Sequence, residues 1–240
     1  MTARRPGVGR TAAVLWTGGK DSAFALHLAA NRAGYRIERL VTFVPPRAQF
    51  RAHPLAVMRL QAKALDLPHR TVLIRKPYRP SYERSLAQLR AEGIQTLVTG
   101  DIDRVGGAPS WIGECARPLG LEVFAPLWQR SRTGILRALI RSRFEVIISC
   151  IDRSRLGPEW LARTLDPDAV RDLEEMRRSA GVDPAGEQGE YHTITLDAPM
   201  FRRRLAVRSW KPSRYGRWSY ANLREIALVD KRPRLPARAR

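Results

Sequence analysis

The run Trp16-Thr17-Gly18-Gly19-Lys20-Asp21-Ser22 sets two glycines, a lysine, an aspartate and two hydroxyls where an apolar stretch, 12–15, gives way to a helical pattern. This order encodes a buried strand, a tight turn and a helix N-terminus. Glycines at 18 and 19 let the backbone approach a ligand closely. The amides of a first helical turn lack intrahelical partners, so they are available to phosphate oxygens. Lys20 is expected to add a mobile positive charge, and Thr17 and Ser22 add hydroxyl donors. The loop is not a Walker A motif, which requires glycine where Val14 stands. Asp21 leaves two readings open. A carboxylate helps an anion site only if a cation is shared, so Mg²⁺ would bridge Asp21 and the phosphates. Alternatively, the acid simply favours the helix N-terminus.

A second constellation lies at 181–190, where Glu187 and Glu190 stand three apart, each beside a glycine, and lead into Tyr191 and His192. Two such carboxylates can face one cavity and bind an ammonium or a cationic substrate, or act as a general base. The same pattern also describes a solvated acidic loop, but it is unusual in so basic a chain. Gly100-Asp101 ends a short apolar run and by itself is turn chemistry. His53, after Phe50 and Arg51 in a loop, is by itself a structural hydrogen-bonding residue. No His, Cys and carboxylate grouping has zinc-ligand spacing.

The elements that must position these residues alternate. Strands are expected at 12–15, 37–44, 71–74 and 94–98, with helices at 21–33, 55–66 and 81–92. The first helix is expected to be apolar on one side, through Phe24, Leu28 and alanines. This is the pattern of an α/β, Rossmann-like (HUP-type) parallel sheet with helices on both faces. Ligands of such sheets bind beyond the carboxyl ends of the strands, where the glycine loop and Gly100-Asp101 both fall. A strand is expected to close through 125–128. A smaller C-terminal α+β unit follows, with a strand at 146–149, a helix at 167–180, a strand at 191–196, a further strand and a Trp/Tyr-rich hairpin. The division is placed at 1–128 and 129–240.

The composition is that of a soluble enzyme, and 240 residues with 44% hydrophobic content can bury a substantial core. No apolar run spans a membrane, and the first eleven residues lack the apolar region of a leader. Cys115 and Cys150 are too few and too far apart for a metal knuckle and suit a reducing compartment, so a cytoplasmic location is expected. Cys115 reads as a small buried hydrophobe, and Trp111 as core or interdomain packing. The net charge of +20 has two explanations: contact with nucleic acid or an acidic partner, or compositional bias. Only five of the 43 basic residues are lysine, and the arginines are dispersed, with richer pieces at 202–204 and 214–218. Bias is the preferred explanation, and nucleic acid is not favoured.

The 16–22 segment resembles the PP-loop of the N-type ATP pyrophosphatases, which split ATP between its α and β phosphates. Further stretches are similar to the diphthine–ammonia ligase family: Arg51-Ala52-His53-Pro54 with Gln61-Ala62; Gly100-Asp101-Ile102 with Trp111, Cys115 and Leu119-Gly120-Leu121-Glu122; and Gly186-Glu187-Gln188-Gly189-Glu190-Tyr191-His192-Thr193. The resemblance implies ATP and Mg²⁺ as cofactors, with Trp16 to Ser22, Gly100 and Asp101 around the nucleotide. It implies Lys20, Asp21, Glu187 and Glu190 in catalysis. It puts Arg51, His53, Glu187, Glu190, Tyr191 and His192 around a carboxylate-bearing acceptor, which is adenylated and then aminated by ammonia or another amine. Diphthamide-making members tend to carry Gly-Glu-Gly-Gly-Glu-Tyr-Glu-Thr, so Gln188 and His192 depart from that form, and the departure bears on the acceptor. Two alternatives stay open: a tRNA-modifying relative, though no Cys-x-x-Cys supports thiolation, and a non-catalytic ATP-binding module. A homodimer is left open.

Overall fold

A computed structural model describes residues 9–103 and 111–231. Residues 1–8, on which much of the leader reading rests, lie outside them. Five parallel strands form the first sheet: β1 (Thr11–Leu15), β2 (Arg36–Val44), β3 (His69–Leu73), β4 (Thr96–Val98) and β5 (Glu122–Phe124). Their spatial order is β3-β2-β1-β4-β5. The direction of winding therefore reverses between β1 and β4, and a crevice opens beyond their carboxyl ends. Ala12, Ala13 and Val14 of β1 are fully buried, as expected of a central strand covered on both faces.

Helices α1 (Lys20–Leu28), α2 (Leu55–Leu65), α3 (Tyr78–Ala91) and α4 (Trp111–Ala116) cover the two faces. On one face Leu86 and Leu89 of α3 pack with Ile112 and Cys115 of α4, so Cys115 is the buried small hydrophobe expected. On the other face, Phe24 and Leu26 of α1 and Met58 of α2 pack in one apolar cluster with residues of a second sheet, among them Ile148, Ile194 and Leu205. α1 is thus buried nearly all round, not on one side as its sequence suggests. It lies between two sheets, and alanines let both approach. Its last turn widens into a π-turn, Ala29–Ala33, closed by Gly34 at φ 78°.

The second unit contains α5 (Arg132–Arg141), β6 (Glu145–Asp152), α6 (Pro167–Ala180), β7 (Tyr191–Asp197), β8 (Arg203–Tyr215) and β9 (Trp218–Asp230). Ser131 and Asp166 cap α5 and α6 with their side chains. The sheet is antiparallel, in the order β7-β6-β9-β8, which leaves β7 at one edge. Three expectations are corrected. Residues 125–128 form a turn, with the Trp128 amide on the Ala125 carbonyl, because β5 ends at Phe124. No separate strand precedes the hairpin among the described residues, since the chain turns at 198–201 and enters β8 directly. Trp111 is 40% exposed, its ring edge-on to Tyr82, so it serves as a surface cover.

Because one apolar cluster joins both sheets, the described chain is expected to unfold as one unit. Leu26→Ala removes a fully enclosed side chain from the shared layer and should cost about 2–5 kcal/mol. Urea unfolding followed by far-UV circular dichroism and by tryptophan fluorescence should show one coincident transition at a lower midpoint. Two separated transitions would contradict a shared core.

Candidate functional site

β1 delivers the glycine loop to the crevice between β1 and β4. The Trp16 amide still bonds the Val41 carbonyl at 2.8 Å, so the loop leaves the sheet immediately after the strand. Gly18 takes φ +76°, a conformation that glycine adopts without penalty, and a Cβ there would strike the Gln61 amide. The loop is then fastened from outside the sheet. The Gly18 carbonyl accepts from the Thr195 amide of β7 at 3.0 Å and from Gln61 Nε2 at 2.8 Å. Gln61, fully buried, also donates to the Thr195 carbonyl at 2.8 Å and accepts from the Trp16 indole at 3.2 Å. The Lys20 amide donates to Thr193 Oγ1 at 3.0 Å. The exposed edge of β7 is thereby occupied by the loop, which solves the edge-strand problem and fixes the turn.

These bonds modify the sequence reading. Of the first-turn amides, that of Lys20 is engaged by Thr193, while those of Gly18, Asp21 and Ser22 donate no hydrogen bond among the described residues. The Thr17 and Ser22 hydroxyls meet at 3.1 Å, and Ser22 Oγ donates to the Gly19 carbonyl at 3.2 Å. The expectation of a mobile Lys20 is overturned. Its side chain is 4% exposed, with Nζ on Asp21 Oδ2 at 2.7 Å and on the Ala185 carbonyl at 2.6 Å, and it lies over the Tyr191 ring at 5.6 Å. A buried ammonium needs such partners, and here they come from its neighbour and from the acidic loop. Trp16 is equally enclosed, at 1% exposure, and contributes through Gln61 and its backbone.

Gly100 shows why β4 ends as it does. A Cβ at this position would lie 2.6 Å from the Asp21 carbonyl carbon and 2.7 Å from the Ser22 nitrogen. The end of β4 is therefore pressed onto the first turn of α1. This brings Asp101 near Asp21, and burial together with the Asp21 charge raises the Asp101 carboxyl above its ordinary range, against a hydrogen bond from Thr99. Asp21 Oδ1 is buried without a hydrogen-bond partner. No group of three His, Cys, Asp or Glu able to hold a metal occurs among the described residues. Two neighbouring carboxylates, one with an orphaned oxygen, are nevertheless donors of the kind a divalent cation would use.

The acidic loop divides its two glutamates. Glu187 stands exposed at the rim, yet the surrounding protein desolvates its carboxyl and Asp21 repels its charge. Opposed by Lys20 and Arg132, these effects push it up to about 7. Glu190 does not face the cavity, which corrects the expectation of paired carboxylates. It is 1% exposed, and it accepts from the Asp183 amide at 2.8 Å and the Gln188 amide at 3.1 Å, so it folds its own loop. Tyr191 is likewise turned inward, its hydroxyl on the Pro184 carbonyl at 2.6 Å.

On the other side of the loop, the rings of His53 and His192 meet edge to face at 5.3 Å, and His192 lies 6.0 Å from Trp218. Burial, with His192 and Lys20 nearby, drives His53 down to about 3, and burial and Lys20 lower His192, so both are neutral. His53 Nδ1 is buried without a partner. Arg51 is exposed and lies over the Tyr215 ring at 4.8 Å. Three contributors escaped sequence reasoning: Gln61 as the loop's anchor, Trp218 as the wall beside His192, and Arg132. Arg132 ties Asp183 (3.1 Å) to Asp103 (3.0 Å) and so joins the acidic loop to the segment after β4. Gln61 entered the sequence analysis only within the Gln61-Ala62 stretch that resembles the family, with no role attached to it. Nothing local marks Arg132 among so many arginines.

A parallel sheet wound in the order 3-2-1-4-5, with a glycine-rich loop at its switch point, defines a Rossmann-like α/β protein. Models of the diphthamide synthase N-terminal and C-terminal domains match residues 10–123 and 132–229, and the chain belongs to this family. A human diphthine–ammonia ligase is 27% identical over 93% of this chain and 94% of its own. The bovine enzyme of that name is 27% identical over 95% and 96%. A rat relative of the same name is 39% identical over 39% of this chain and 34% of its own. Among the described residues, no helix is long and apolar enough to cross a membrane.

Two tests address the site's construction. Gly100→Ala should displace the first turn of α1 and weaken ATP binding at least tenfold while leaving the secondary structure intact, as read by calorimetric titration and circular dichroism. His53 provides the second. Its pKa is depressed in the fold, so the unfolded chain takes up the proton first. Its contribution to stability is fully present above 6.5 and is lost as pH falls from there toward 3. Denaturant midpoints at pH 7.5 and 5.0 should therefore differ less for His53→Asn than for the parent.

Proposed function

We propose that the chain is an ATP-dependent, AMP-forming ligase of the diphthine–ammonia ligase type, which adenylates a carboxylate and transfers ammonia to it. The observation that carries this reading is the meeting of three elements at the switch point: the open amides of Gly18, Asp21 and Ser22, the carboxylates of Asp21 and Asp101, and the glycine contact at 100 that holds them together. In this reading residues 1–128 hold ATP, residues 129–240 supply the acceptor side, and the protein works in the cytoplasm.

The loop amides would hold the pyrophosphate half of ATP, where oriented N–H groups stabilise charge gathering on the leaving group. Asp21 and Asp101 would hold Mg²⁺, which when bound supplies positive charge to the same oxygens. Lys20, fixed between Asp21 and Ala185, keeps the acidic loop seated against the phosphate loop. The acceptor carboxylate then attacks the exposed α-phosphorus, and an amine displaces AMP from the acyl-adenylate. An incoming ammonium must lose a proton to act as a nucleophile. Glu187, pushed up to about 7, suits that exchange because a base works best near the operating pH. Neutral His53 and His192 and the exposed Arg51 would orient the acceptor at the mouth, with Trp218 as its wall. Glu190 and Tyr191 shape the loop that presents Glu187.

Turnover with α- and γ-labelled ATP, ammonium and a panel of carboxylic acceptors should release AMP and pyrophosphate. ADP and phosphate would overturn the scheme. The rate should rise with pH through about 7, as Glu187 loses its proton. Glu187→Gln should abolish that limb and lower kcat by about 100-fold or more, with ATP affinity retained.

A further inference from the structure

Away from the acidic loop and the glycine loop, a cavity of about 490 Å³ opens between α1 and α5. Its floor is apolar: Phe24 and Leu28 from α1 and Ile135 from α5, each buried. Its rim is cationic. Arg32 comes from the π-turn that ends α1, Arg130 from the residue before the Ser131 cap of α5, and Arg141 from the last turn of α5. None of the three guanidinium groups makes an ion pair or side-chain hydrogen bond among the described residues, and no carboxylate lines the cavity. Neighbouring arginines behave differently, since Arg132 is paired with Asp103 and Asp183, and Arg137 with Glu174. The turn presenting Arg130 is also fixed. Gln129 takes φ 56° and its amide donates to the Ile102 carbonyl at 2.7 Å.

Three like charges around one concavity repel one another unless an anion is shared. Guanidinium forks match phosphate oxygens two at a time. We propose that this cavity is a second anion site, separate from the glycine loop, that takes a phosphate-bearing ligand with two or more negative charges. Because Phe24 and Leu28 line both the cavity and the core beneath the loop helix, a ligand there rests on the helix whose N-terminus forms the phosphate loop. The assignment does not depend on the ligase reading.

The test keeps the two sites apart. With the full chain holding one equivalent of α,β-methylene-ATP, pyrophosphate is titrated calorimetrically. One further binding event is expected, weakening steeply with added salt. In the Arg32→Ser/Arg141→Ser double variant that event should weaken at least tenfold, while the affinity for α,β-methylene-ATP and the unfolding midpoint stay unchanged. A second arm compares pyrophosphate with a 5′-phosphorylated and an unphosphorylated oligouridine. Preference for pyrophosphate identifies a free phosphate ligand, and preference for the phosphorylated oligonucleotide identifies an RNA end. The proposal is overturned if no ligand binds once the nucleotide analogue is present, if the double variant binds as the parent does, or if both oligonucleotides bind equally and pyrophosphate not at all.

Discussion

The structure depends on the seating of one loop against the edge of a strand from the other sheet. The Gly18 carbonyl and the Lys20 amide are both satisfied by β7, and Gln61 closes the same joint by bonding Gly18, Thr195 and Trp16. A glycine-rich loop is costly to order, and its buried polar groups are costly to leave unpaired. Both problems are solved by the free edge of an antiparallel sheet, itself a surface that needs covering. The two units therefore meet at this loop. β1 supplies the loop, and β7 gives it its shape.

The same joint organises the charges. Bringing Gly100 onto the first turn of α1 packs the Asp21 and Asp101 carboxylates together, and the acidic loop adds Glu187. Burial first, and the neighbouring Asp21 charge after it, disfavour ionisation, which explains the raised carboxyls of Asp101 and Glu187. Lys20 offsets part of the repulsion, and for that role it must be held still. Its two short contacts, to Asp21 and to the Ala185 carbonyl, lock the acidic loop to the glycine loop. Arg132 repeats the device farther out, between Asp183 and Asp103. Glu190 is spent inside the loop, where its carboxylate accepts two backbone amides. A loop able to place one carboxyl at a cleft needs the other to hold its own turn.

Much of this was legible in the chain. The strand, glycine turn and helix at 12–28 stand where the residue types put them, because the apolar run and the glycines act locally. The β–α alternation and the helix at Pro167–Ala180, with its Asp166 cap and Gly181 stop, follow from periodicity and end signals. Other readings failed for identifiable reasons. Residues 125–128 looked like strand because they are apolar, but apolar character serves a packed turn equally well. The one-sided appearance of α1 concealed burial on all sides, since alanine is compatible with either environment. Trp111, read as core or interdomain packing, lies instead on the surface against Tyr82.

The amino-acid sequence by itself determined where a glycine-rich turn and an acidic, glycine-punctuated loop stand and which stretches form strands and helices. Those properties are set by near neighbours: backbone freedom, capping and the period of the apolar positions. Tertiary structure decided the rest. It turned Lys20 inward, sealed Glu190, made glycine obligatory at 100 and gave Gln61 its three partners. Each outcome rests on an atom contributed from far along the chain, such as Ala185 against Lys20 or Thr195 against Gly18. Periodicity reports which face is buried, but the group that meets that face is chosen only when the two sheets close on α1.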